Sequence, residues 1–149
     1  MFTSDIKSTS DTRVKHGWYA PIKTAMVYLV VSFLCMVITN VYALFGHGVR
    51  SDSMDFMFLY PLIGGAVVFL LIALLLPFMS RKLSSLSRIG YNLYNSGIAA
   101  LTSAAMLTGI MEIAGTGSVW IIYLRVVGFV LLIAAIAWQA VAIIGQNSQ

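Results

Sequence analysis

Residues Val119 to Ile144 read VWIIYLRVVGFVLLIAAIAWQAVAII, a run that holds a single charge, Arg125. A helix crosses the hydrocarbon core of a bilayer in about 20 apolar residues. This stretch exceeds that length and lacks the period-two alternation of a barrel strand. By length and composition it reads as a transmembrane helix. Trp120 and Trp138 stand five turns apart along it, roughly 27 Å at about 1.5 Å per residue. That spacing suits two rings in opposite headgroup belts.

The same pattern recurs towards the N-terminus. Gly115-Thr116-Gly117-Ser118 is a tight turn, preceded by a span from Arg88 to Ala114. Ser80 to Ser87 is a basic, serine-rich break, and a span from Phe56 to Met79 lies before it, with Pro61 in its first turn and Pro77 near its end. Val49 to Asp55 is a polar loop in which Ser53 or Asp55 offers a helix cap. A span from Thr24 to Phe45 ends at Gly46-His47-Gly48. The expected fold is all-α, an integral membrane four-helix bundle in up-down-up-down order, forming one domain over residues 24–144. Residues 1–23 are expected to form a polar, flexible tail, with Gly17-Trp18-Tyr19 as an interfacial anchor and Pro21 at the start of the helix. Residues 145–149 form a second short tail. The first 17 residues carry no apolar h-region and do not read as a signal peptide.

Composition excludes most soluble alternatives. The chain is 60% hydrophobic and 9% charged, against roughly 25% charged for a soluble domain. The pI near 9.4 does not imply nucleic acid, because topology accounts for the basic residues. Lys7, Arg13, Lys15 and Lys23 precede the first span, and Arg81, Lys82 and Arg88 lie between the second and third. If spans alternate, those seven share one side, and the other has Arg50 alone beside Asp52 and Asp55. The excess of positive charge places both termini in the cytoplasm.

Charges within the bilayer are costly and mark candidate sites. Glu112 and Arg125 flank the Gly115–Ser118 turn, and an antiparallel hairpin would bring them into an ion pair. Glu112 shares a helical face with Thr108, Ala105 and Leu101, and Ser96, Ala100 and Ala104 form a second ridge of small residues. Arg125 shares a face with Gly128, Leu132, Ile136 and Gln139, expected to point into the bundle. Asn40 and His47, with Tyr60 and Arg50, lie at the same depth as the charged pair and would complete a polar pocket facing outward. At the opposite end, Arg88, Asn92 and Asn95 follow an i, i+4, i+7 pattern suited to lipid headgroups or a cytoplasmic partner.

Several chemistries lack their residues. Haem held across a bundle needs histidines within spans, and His16 and His47 do not supply them. A single cysteine, Cys35, excludes a thiol pair. No clustered His, Asp and Glu suggest a metal, and Gly64-Gly65 reads as helix packing rather than a phosphate loop. The chain resembles small multidrug exporters in length and span count. Their coupling carboxylate lies in span one, however, and this span one holds no acid.

The expected function is that of a small non-enzymatic membrane subunit or accessory protein working through helix contacts. The alternative is a small oligomeric transporter or channel using the outward pocket. A lipid-modifying enzyme with His47 and Glu112 as base and acid is a third reading. The expected surroundings are a lipid bilayer, the bacterial inner or plasma membrane. The expected protein partner is a second copy or another membrane protein. No cofactor, metal or nucleic acid is implied.

Overall fold

The computed structural model describes residues 4–75 and 88–147. Among them the chain is helical: α1 Ser4–Phe45, a single turn α2 Asp52–Asp55, a π-helical segment Tyr60–Val67 continuing into α3 Val68–Leu75, then α4 Arg88–Ile113 and α5 Val119–Asn147. Four stretches are long and apolar enough to cross a membrane: Pro21–Phe45, Asp52–Leu75, Arg88–Ile113 and Val119–Ala142. The expected spans are therefore found. The second is a composite of α2, the π-helical segment and α3. Pro77 and the basic residues Arg81 and Lys82 lie outside the described residues.

Two expectations near the N-terminus are corrected. The polar stretch read as a flexible tail is helical from Ser4, and Pro21 sits inside α1 rather than at its start. Helix nucleation is the costly step, so an apolar span that is already helical extends backwards cheaply into a polar segment. Pro21 still removes one backbone bond, the one its missing N–H would give to the carbonyl of Gly17.

The second span departs from regular α-helix where sequence pattern gives little warning. Pro61 stands in the first turn of the π-helical segment. Gly64-Gly65 follows, with no side chains to resist a widened turn. The hydroxyl of Tyr94 donates to the carbonyl of Gly64 there. The ring of Tyr28 lies directly on Gly65, where a Cβ would come within 2.2 Å of it.

The centre of the bundle is aromatic at one end and sulfur-rich at the other. Phe69 is buried, stacks on Tyr28 at 5.8 Å, and meets Tyr91 and Tyr94 edge-on at 5.5 and 5.7 Å. Towards the turns, Cys35, Met54, Met57 and Ala105 form a buried cluster. The backbone of the second span passes so close to α4 there that a Cβ on Gly109 would lie 2.4 Å from that of Met54 and 3.0 Å from its nitrogen. Thr39 fixes the same level by donating to the Met54 carbonyl at 3.0 Å.

Helix α5 packs on α4 alone among the described elements. Gly97 and Gly128 make the crossing: a Cβ on Gly97 would meet the Gly128 carbonyl at 3.0 Å, and one on Gly128 would meet the Leu101 side chain at 2.8 Å. Small residues at a helix crossing allow this approach in lipid. On α4, Leu101, Ala104 and Ala105 are buried, whereas Ser96, assigned to a packing ridge, is exposed. On α5, Gly128 and Ala135 face inward, and Ile136, expected in the interior, is 64% exposed. The inward stripe keeps a seven-residue spacing rather than drifting at 3.6 residues per turn, as for helices that wind gently about each other.

Candidate functional site

The turns joining the spans build the site. α1 ends at Gly46-His47-Gly48, where the Gly48 N–H reaches back to the Ala43 carbonyl at 2.9 Å. His47 takes the left-handed conformation usual for glycine, at φ 54°. It is exposed and serves this turn. α4 ends in the same manner: Gly115 has φ 67°, and the Thr116 N–H reaches the Met111 carbonyl at 2.9 Å. Both helix ends so satisfy carbonyls that would otherwise be left unpaired.

These turns bring a serine pair onto Glu112. Ser51 donates to Oε2, and Ser53 donates to Oε1 at 2.9 Å. Ser51 is buried, so the carboxylate is the partner its hydroxyl requires. On the neighbouring helix, Arg125 donates from Nη2 to the Thr108 hydroxyl at 3.1 Å, and Thr108 donates in turn to the Ala104 carbonyl at 2.7 Å. Glu112, Arg125 and Thr108 line one open pocket of about 250 Å³, with the Gly117-Ser118 turn at its rim.

The expected direct ion pair between Glu112 and Arg125 is not made: each charge has other partners. The reason is register. Arg125 lies opposite Thr108, which leaves Glu112 one turn, about 6 Å by helix rise, closer to the connecting turn. The two charges face the same pocket from different heights.

The remaining residues of the expected polar set go elsewhere. Asn40 is exposed and donates from Nδ2 to the Met36 carbonyl of its own helix at 2.8 Å. Tyr60 packs against the methionine cluster. Arg50 pairs with Asp55 at 3.0 Å, and the contact holds its guanidinium above the usual range through hydrogen bonding and charge attraction. Glu112 and Arg125 are the two that share a pocket. Ser51 and Ser53 were missed as carboxylate partners. A loop hydroxyl reveals its partner only once the register of distant helices is known.

At the other end of α4, the three residues grouped by spacing divide. Arg88 and Asn92 are exposed, whereas Asn95 turns inward and accepts a hydrogen bond from Tyr28 at 2.7 Å. One turn away, Thr24 and Tyr91 pair their hydroxyls at 2.7 Å. Tyr28 and Thr24 carry no sequence signal for this beyond their position one turn apart on α1.

Chemically, the pocket at the turns presents a carboxylate, a guanidinium and hydroxyls at different heights, a set suited to a small polar or zwitterionic ligand. Among the described residues no three His, Cys, Asp or Glu side chains gather as metal ligands would. Comparison with protein-family models, with curated proteins and with solved structures finds no match.

Proposed function

We propose that the chain is a small non-enzymatic membrane subunit or accessory protein that works through helix contacts within a bacterial inner or plasma membrane. Its spans alternate up and down with both termini in the cytoplasm. The contacts support alternation: Thr39 meets Met54 while Tyr28 meets Gly65, and Thr108 meets Arg125 while Gly97 meets Gly128. The charge distribution supports the orientation, with Arg50 the sole basic residue of the two turns that join spans one to two and three to four. A cysteine at Ser118 is expected to react with an impermeant maleimide on intact cells, and one at Ser148 only after lysis. The reverse labelling overturns the orientation.

The observation that carries the subunit reading is Asn40. It lies about 8 Å from the end of α1 by helix rise. Its side chain is exposed, although the buried Thr39 beside it faces the second span. Its amide donates to the Met36 carbonyl of its own helix, which leaves the Oδ1 acceptor and a second N–H facing outward, where lipid offers them nothing. Polar groups of this kind join one transmembrane helix to another. Mild-detergent purification from the native membrane is expected to retain one stoichiometric protein, another chain or a second copy. Asn40→Leu is expected to release it. A monodisperse single chain, unchanged by the substitution, counts against the reading.

A second reading, a small oligomeric transporter or channel, is favoured by the pocket of Glu112 and Arg125. Under it, Glu112→Gln abolishes a flux or binding signal while the protein accumulates normally.

A further inference from the structure

A second cavity lies apart from the charged pocket. It is a groove of about 560 Å³ between α1 and α4, floored by Pro61 of the second span. Its two ends differ. At one lie Lys23, the Thr24–Tyr91 hydroxyl pair and Asn95. Tyr28 donates to Asn95 Oδ1, which leaves the amide nitrogen to act towards the groove as a donor. Further in, the walls are Val27, Val31, Ile98 and Ala99. Thr102 is also there, but it returns its hydroxyl to the Ile98 carbonyl of its own helix at 2.8 Å.

The dimensions match one leaflet. From Tyr91 to Ser103 the groove follows α4 for roughly 18 Å at about 1.5 Å per residue, and half of a hydrocarbon core of about 30 Å is close to that. The polar end has a second cation within reach. Arg88 lies three residues before Tyr91, on the helical stripe that continues through Asn95, Ile98 and Thr102. It is exposed, as is Lys23, and neither forms an ion pair among the described residues. The Thr24–Tyr91 bond puts the two cations at the same level of the bundle. Lys23 lines one mouth of the groove, Arg88 lies one turn of α4 beyond Tyr91 at that mouth, and the walls further in are mostly apolar.

We infer that this groove is a binding site for a single anionic phospholipid. The headgroup phosphate lies against Lys23 and Arg88 and accepts hydrogen bonds from the hydroxyl pair and the Asn95 amide. One acyl chain runs inward along Val27, Val31, Ile98 and Ala99. A basic, hydroxyl-lined mouth between transmembrane helices selects such headgroups by charge. The apolar depth would add nothing to the binding of a free phosphate. This site is independent of the subunit reading and stands or falls separately.

The test uses the full chain in phosphatidylcholine vesicles containing a minor share of spin-labelled lipid. Spin-labelled phosphatidylglycerol is expected to show a motionally restricted component well above that of spin-labelled phosphatidylcholine. Lys23→Gln and Arg88→Gln should each lower that preference about fivefold, the worth of one basic residue near a charged surface. Ala99→Phe, which fills the apolar part, should remove the restricted component for both lipids; Ser103→Leu is the alternative should the first variant not accumulate. Glycerophosphoglycerol, which has the headgroup without chains, should not compete. Equal restriction of the two lipids, a preference that survives both charge variants, or efficient competition by the chainless headgroup would each overturn the inference. So would disulfide formation between copies carrying Ser103→Cys, because a second chain would then occupy the groove.

Discussion

The two ends of α4 are built on opposite terms. At its beginning, Tyr91, Tyr94 and Asn95 direct their polar atoms to neighbouring helices, and their rings surround the buried Phe69. The three tyrosine and asparagine oxygens there are each held by a partner on another helix. At its end, Thr108 and Glu112 meet loop hydroxyls and a cation across an open pocket. Hydrogen bonds inside a closed aromatic cluster fix geometry, whereas those at an open charged pocket leave groups that a ligand can engage. The cluster around Phe69 is expected to carry stability, and the Glu112 pocket to contribute little to it.

The largest effect should come from the closed end. Phe69→Ala removes the ring that three tyrosines contact, and is expected to cost about 3–5 kcal/mol. Thermal unfolding in detergent measures it, and a variant as stable as wild type would show that the aromatic cluster is not the anchor of the bundle. Next is the tight contact near the open end. Gly109→Leu forces a side chain into the Met54 backbone and should cost about 1–3 kcal/mol, or prevent accumulation. A neutral result would mean that the second span and α4 do not approach as closely as described. Tyr28→Phe keeps the ring and deletes its bond to Asn95. Interhelical hydrogen bonds in membranes average about 0.6 kcal/mol, and a loss of that order is expected by the same unfolding assay. Smallest should be Glu112→Gln, with no measurable change in melting temperature, since the side chain is exposed, the amide oxygen still accepts from the buried Ser51 and the amide nitrogen can donate to the Ser53 hydroxyl. A marked loss of stability would make the open end structural and erase the contrast.

How much of this was legible in the sequence follows from the range of each signal. The spans were readable because each needs only a continuous apolar run, and the turns because Gly46–Gly48 and Gly115–Ser118 interrupt those runs. Glu112 and Arg125 stood out because charge in an apolar helix is rare. Their partners did not: whether Arg125 meets Glu112 or Thr108 depends on one turn of register set by the Gly97–Gly128 crossing. The division of Arg88, Asn92 and Asn95 between surface and interior was hidden for a similar reason. Spacing along one helix cannot say that Tyr28 on another will draw Asn95 inward. The helical extension back to Ser4 had no apolar pattern to announce it. The widened turn at Gly64-Gly65 is explained by Pro61 and the glycines only once Tyr28 and Tyr94 are seen against it.

The central claim is that this bundle works by contact with another helix, and photo-cross-linking in the native membrane tests it most directly. A photoreactive side chain at Asn40 is compared with one at Val141, on the exposed part of α5. The account predicts a single protein adduct of defined mass from position 40 and lipid adducts from position 141. Lipid adducts alone from both positions would contradict it.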